Sequence, residues 1–425
     1  MKTNLTKHSK PKPEAEVPPV TAAGWLRTFS SLQIPNYRWY WFSTLFSFIA
    51  MQMQLMARGW LIYEMTDSPL ALGLVSIAWG VPVILFIPLG GVLADRIERK
   101  KLIILTQIPT GLITLALTIL ILTGLIEYWY LFGAAFLTGI SDAFNMPARQ
   151  AIVPQLVGKK QLLNAIALSS SGMNLTRIVA PAMAGMLIGM IGISGVYIFV
   201  TGCYVIVIGT MLMLSSSAVV PRLQKTSLAR DLVVGFHYIR HNPPIMVLLL
   251  SAFVTIIFGF PYMMLMPIFA RDVLNIGPEG LGLLMSATGC GALAGSLGIA
   301  SLGHFKRKGW LLLTLGVVFG AGLVLFASSK SLYLSLFLLF IVGVGSAGYF
   351  ALNNTLIQSN ITGDMRGRVM AIFQMTFGLH GVGTLFISGI AEATAAPLAV
   401  GAGGAILVLS MIAAAVLMPG LRRLE

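Results

Sequence analysis

Residues 90–101 read GGVLADRIERKK, a charged run wedged between two apolar stretches. From Asp95 to Lys101 every position but Ile97 is ionisable. A solvated turn needs only one or two polar residues. Acids set among bases at the end of an apolar segment imply a specific partner as well as solubility.

The surrounding chain decides what kind of segment this is. Its 425 residues are 57% hydrophobic and only 10% charged, with a mean hydropathy of +0.87. Soluble domains carry roughly 25% charged residues and cannot bury so much apolar surface. Apolar stretches long enough to cross a bilayer as helices, about 20 residues each, recur along the whole length. Cys203 and Cys290 both fall inside such stretches, so no disulfide framework is expected. Residues 1–37 show no short apolar core with a small-residue cleavage site, so no signal peptide is expected.

Apolar runs set against polar punctuation predict an all-α membrane protein of twelve spans. They fall near 39–63, 69–93, 102–123, 128–148, 162–190, 194–216, 245–270, 279–303, 310–328, 332–357, 368–391 and 397–419. The expected organisation is an N-terminal tail over 1–37, a six-helix bundle over 38–217, a linker over 218–244, a second six-helix bundle over 245–420 and a short tail over 421–425. The tail carries a polar, proline-rich stretch at 8–19 and an amphipathic segment from Trp25 to Ile34 suited to the membrane surface. In the linker, Leu228, Leu232, Phe236 and Ile239 at helical spacing predict an interfacial helix. His237 and His241 stand four apart on it, but no acid or cysteine completes a metal site.

Of the 28 lysines and arginines, 24 lie on the side of the two termini, and only Arg271 and Lys330 lie on the other. The positive-inside rule then places both termini in the cytoplasm of a multi-pass plasma-membrane protein. The net charge of +14 is thereby topological, which argues against a nucleic-acid partner.

The two halves look like distant copies. NMPARQAIVPQLVGKKQLLNAIAL follows span 4 and NNTLIQSNITGDMRGRVMAIF follows span 10; LADRIERKK follows span 2 and LGHFKRKGW follows span 8. Such a parallel repeat is the plan of many secondary transporters, whose site lies between the halves. Over residues 35–420 the chain resembles the major facilitator superfamily, and within it the bacterial branch of enterobactin-exporter-like efflux proteins. The resemblance rests first on Gly91, Leu93, Ala94, Asp95, Arg96, Glu98, Arg99 and Lys100, similar to the signature between helices 2 and 3, with Glu98 in place of a glycine. ARGWLIYEMTDSPLALGLV (57–75) and MPARQAIVPQLV (146–157) add to it. RIVAPAMAG in span 5 is similar to the motif of proton-coupled exporters, with Ala180 where a glycine is usual, followed by Pro181, Ala184 and Gly185.

Arg58, Asp142 and Arg177 are charges embedded in spans, where ionisable groups are costly and by default functional. From the helical rise, Arg58 stands about 28 Å, Arg177 about 21 Å and Asp142 about 10 Å above the cytoplasmic edge. Arg58 either snorkels outward or lines the cavity; Arg177 is too deep to escape. The resemblance implies that Asp95 faces the N-terminal end of span 11, near Arg366 and Arg368, and that Arg99 bridges to Asp142. With Gly91 and Arg96 these residues make up a latch on the cytoplasmic side. A carboxylate at a helix N-terminus and a forked arginine–carboxylate pair are both physically sound. Asp142, the one acid clearly within a span, is the candidate proton-coupling group, with a fixed structural partnership to Arg99 as the alternative.

The resemblance also implies that spans 1, 4, 7 and 10 line a central cavity. Gln54, Arg58, Asn145, Arg177, Phe258, Tyr262, Asn353 and Asn354 are its candidate substrate contacts, and packing between helices is the competing role. The function expected is secondary active transport of a small molecule by a monomer, with efflux of an amphipathic drug or siderophore-like compound coupled to protons. An importer, a uniporter or a non-transporting protein on the same fold are the alternatives. No charged ring or filter points to a channel. No nucleophile–base pair, P-loop, cofactor motif or metal cluster points to an enzyme or ATPase.

Overall fold

The computed structural model describes residues 24–215, 228–302, 307–363 and 365–422. The expected tail over 1–23, linker residues 218–227 and the last residues 423–425 lie outside the described residues. What is described is helical throughout apart from short connections.

Twelve helical segments are numbered here in chain order. They are α1 (Pro35–Thr66), α2 (Pro69–Arg96) and α3 (Arg99–Leu122). The run Tyr128–Leu212 is broken at Gly158 and Gly192, whose φ angles of 65° and 77° suit a residue without a Cβ. The breaks divide it into α4 (128–157), α5 (159–191) and α6 (193–212). Then follow α7 (Pro243–Val273), α8 (Gly277–Ser301), α9 (Lys308–Ala327), α10 (Leu332–Ser359), α11 (Arg366–Ala393) and α12 (Ala396–Leu417). A short helix, Leu228–Arg240, precedes α7. Two of the long helices are irregular: α7 carries π turns at Thr255–Gly259 and Phe269–Val273, and α11 is interrupted at Leu379.

Among the described residues, ten helices are long and apolar enough to cross a membrane, counting 160–212 as one. The chain is a multi-pass membrane protein. The segment 128–157 is not among the ten, and it carries Asp142, Asn145 and Arg149. Its polarity follows from the groups described below.

The amino-terminal 3-10 helix Gly24–Gln33 docks on α5 through Ser31 and Asn164, and Asn36 accepts from the Ser215 N–H at 3.1 Å. These contacts mark one end of the array, called here the terminal end. The opposite, turn end carries Asp67, Ser68 and the α7–α8 connection.

Two helix seams are built from small residues. On α2, a Cβ added at Gly80 would lie 2.6 Å from the Gly378 carbonyl, and one at Gly73 would lie 2.9 Å from the Leu385 Cα of α11. On α5, a Cβ at Gly185 would lie 2.6 Å from the Pro278 carbonyl; on α8, one at Gly282 would lie 2.6 Å from the Pro181 carbonyl. In a bilayer, close backbone approach replaces the missing hydrophobic drive between helices.

Candidate functional site

The charges embedded in the helices converge more closely than residue counting along each helix implies. Helical side chains lean toward their own N-terminus. Arg58 therefore leans toward the terminal end and Arg149, on the antiparallel α4, leans the other way. Asp142 lies between them, within electrostatic reach of both guanidinium groups. Its Oδ2 accepts a hydrogen bond from Trp79 Nε1 of α2 at 3.0 Å. The tyrosines at 197 and 204 on α6 complete the surroundings of Arg58.

Arg149 is the residue that the sequence reading missed. Its chain position suggested a solvated basic turn, yet it is only 9% exposed. Its Nε donates to Asn145 Oδ1 at 2.8 Å and its Nη1 to Thr44 Oγ1 at 3.0 Å, while its carbonyl accepts from the Tyr40 hydroxyl at 2.9 Å. Asn145 in turn donates to Thr106 Oγ1 at 2.6 Å. This ladder joins α1, α3 and α4. Among the described residues, Arg149 Nη2 in this ladder and Arg58 Nε nearby are buried donors with no hydrogen-bond partner.

The other candidate contacts divide into two groups. Gln54 is buried and donates to Thr114 on α3 at 3.4 Å, and Asn353 is buried and donates to the Leu248 carbonyl of α7 at 3.2 Å. Both tie helices together. Asn354, partly exposed, accepts from Gln358 at 3.0 Å; Phe258 packs edge-on to Phe386. Arg177 is exposed on α5, within electrostatic reach of the Tyr262 hydroxyl on α7. It makes no hydrogen bond or ion pair among the described residues. Ala180 is fully buried, and Pro181 and Gly185 form the close α5–α8 contact.

At the terminal end the expected latch pairs otherwise. Arg99 donates to the Ala94 and Ala151 carbonyls at 3.3 and 2.6 Å and lies 3.7 Å from Asp95 on its own stretch, while Asp142 turns to Trp79. Arg96 is exposed; Lys100 reaches the Leu212 carbonyl at 3.2 Å. Arg366 donates to the Gln358 carbonyl at 3.3 Å, and Arg368 pairs at 2.8 Å with Asp231 of the linker helix. Gly91 meets nothing within 4 Å; the close-packing glycine is its neighbour Gly90, whose added Cβ would lie 2.2 Å from the Ala143 carbonyl. On the linker helix the His237 and His241 rings stack at 4.3 Å, and His241 Nδ1 meets the His237 carbonyl at 2.8 Å.

The turn end is tied across the seams by groups that look ordinary in sequence. Arg271 of α7 pairs with Asp67 at 2.7 Å and donates to the Tyr63 carbonyl at 3.3 Å; the Tyr63 hydroxyl donates to Asp272. Glu392 of α11 accepts from Ser68 Oγ at 2.7 Å and from the Leu70 N–H at 3.0 Å, at the N-terminus of α2.

Charges set within the helix array, small-residue seams and ties across one end suit a membrane transporter, and the relatives are transporters, not enzymes. The chain belongs to the transmembrane secretion effector family of the major facilitator superfamily, whose family model matches residues 26–423. It is 26% identical over 340 residues to macrolide efflux protein A of Streptococcus pyogenes, covering 78% of this chain and 83% of that protein. It is 28% identical over 357 residues to the enterobactin exporter EntS of Shigella boydii, covering 82% and 83%. It is 24% identical over 361 residues to the staphyloferrin A transporter of Staphylococcus aureus, covering 82% and 88%. A structure of a mutant of the nucleoside transporter NupG superposes with a TM-score of 0.74 at 13% identity, covering 90% of this chain and 99% of that one. That last likeness speaks for the fold alone.

Proposed function

We propose that the chain is a secondary active exporter of an amphipathic small molecule, coupled to protons and working by alternating access. In this reading the glycine breaks at 158 and 192 separate true crossings. Twelve spans then form two six-helix bundles, 38–217 and 245–420, joined by the linker over 218–244. The protein is a monomer in the plasma membrane with both termini cytoplasmic, so the turn end faces outward. Cysteines placed at Lys330 and Lys308 test this, the first labelled only from outside and the second only from inside.

The observation that carries the reading is the one-sidedness of the ties. Asp67, Asp272 and Glu392 hold the turn end shut across both halves. At the terminal end Asp95, Arg366 and Arg368 each face a partner within their own half or on the linker helix. Such a molecule is open toward the cytoplasm, ready to load for export. The proposed latch of Gly91, Asp95, Arg96, Arg99, Arg366 and Arg368 belongs to the opposite state. The efflux and export relatives support the outward direction.

Asp142 is the proposed proton-coupling group, because it is a partly accessible carboxylate set between two arginines. The test is transport of a fluorescent amphiphile by everted vesicles across a range of pH. Asp142→Asn is expected to lose the pH dependence while still exchanging cargo downhill. Intact pH dependence in that variant excludes Asp142 as the coupling group. Gradient-insensitive flux in the wild type excludes proton coupling altogether.

A further inference from the structure

The interior of the helix array holds more positive charge than it neutralises. Three arginines lie along the middle of α1, α4 and α5, and Asp142 is the carboxylate among them. Asp142 lies within electrostatic reach of both Arg58 and Arg149 but accepts its hydrogen bond from Trp79. Those two arginines still present the donors Nε and Nη2 without acceptors among the described residues. Arg177 has no carboxylate partner at all among the described residues; its electrostatic neighbour is the Tyr262 hydroxyl.

Arg177 is also exposed, although it sits mid-way along an apolar helix. Its side chain is within electrostatic reach of the Tyr262 hydroxyl on α7, and its backbone packs on α8, where a Cβ added at Gly289 would lie 2.7 Å from the Arg177 carbonyl. Its place is therefore where α5, α7 and α8 meet. A cation held in a membrane interior without a partner is costly and marks a substrate path. A guanidinium offers a rigid fork of donors that matches a carboxylate and fits a compact ammonium not at all.

Resting on the exporter reading above, we propose that the cargo carries an acidic group, a carboxylate or similar oxyanion, which Arg177 binds directly. The Arg58–Asp142–Arg149 triad, with its single excess positive charge, attracts the same group from the neighbouring helices. An amine-bearing cargo meets two uncompensated cations and is disfavoured. The arginines select the acidic head of the cargo.

The test uses the full-length protein in lipid nanodiscs and three probes that differ only at one end: 11-(dansylamino)undecanoic acid, its methyl ester and the corresponding terminal amine. Binding is read by energy transfer from tryptophan. The acid is expected to bind about tenfold more tightly than the ester or the amine, a difference that is convertible to transport selectivity. Arg177→Gln is expected to abolish most of that preference and to leave ester affinity within about twofold, which separates lost recognition from lost folding. Arg177→Lys, which keeps the charge, is expected to restore part of it. Equal affinity for acid and ester, preference for the amine, no binding of the acid, or an acid preference that survives Arg177→Gln each overturns the proposal. Everted vesicles separate the two readings. Gradient-driven movement of all three probes without acid preference sinks the anion assignment and leaves the exporter standing. Acid-selective binding without any transport does the reverse.

Discussion

The carboxylate of Glu392 caps the N-terminus of α2, accepting from Ser68 Oγ at 2.7 Å and from the Leu70 N–H at 3.0 Å. The family resemblance implies the same chemistry at the other end of the same helix pair, with Asp95 of α2 facing the N-terminus of α11. Helices α2 and α11 run antiparallel, so each end of the seam offers one carboxylate to one helix N-terminus. Here the turn end is engaged and the terminal end is not.

Loosening the turn end should shift the population toward the opposite state. Exposed polar ties contribute about 0.2–1 kcal/mol each, so Glu392→Gln combined with Asp67→Asn should raise the open fraction about two- to thirtyfold. A cysteine at Met264, which is 5% exposed beside α1, reports this through its labelling by an impermeant thiol reagent. An unchanged labelling rate would show that the seams alone hold this end.

Neighbouring glycines in the opening motif should behave oppositely. Gly90→Ala drives a Cβ to 2.2 Å from the Ala143 carbonyl, and such overpacking costs about 1–3 kcal/mol. Gly91→Ala enters open space and gains helix propensity, so its effect should be neutral or slightly stabilising. Thermal unfolding of the two purified variants decides; equal midpoints would contradict the packing described.

Arg149→Leu removes a nine-tenths buried guanidinium and strands Asn145, Thr44 and Asp142. The loss should be on the order of 3 kcal/mol, as for other broken buried charge pairs. Expression level and thermal midpoint are the readouts, and Arg149→Lys, which keeps the charge but not the fork toward Asn145 and Thr44, should recover part of the loss. Failure of that rescue would mean that the hydrogen-bond ladder outweighs the charge.

Arg99 and Asp142 share no contact in this structure. In stability, Arg99→Gln and Asp142→Asn should therefore add to within about 0.5 kcal/mol. In transport they should not add, if a later state brings them together. Additivity in both measurements removes Arg99 from the latch.

Much of this was legible beforehand, for identifiable reasons. Long apolar stretches announce helices in lipid, and Arg58, Asp142 and Arg177 stand out because charge is rare there. Arg149 escaped because α4 continues about nine residues beyond its apolar run, so that a buried cation reads as part of a basic turn. Asp142 found other partners because rise per residue locates Cα atoms, whereas arginine side chains span several ångströms along the helix axis. For Gln54 and Asn353 the sequence left substrate contact and helix packing both open, because a helix apolar on every face does not show which side a polar residue serves. Asp67, Arg271 and Glu392 look like ordinary loop charges until the turns are brought together.

The glycine seams have a mechanical consequence. Where Gly80 meets Gly378 and Gly185 meets Gly282, backbone lies directly on backbone, with the Ile84 side chain packed beside Gly378. Such a joint behaves as a smooth bearing rather than a ratchet, with weak, interchangeable contacts along its length. In the proposed alternating access, friction at such a pivot is low, and the tempo of the cycle passes to the ties at either end.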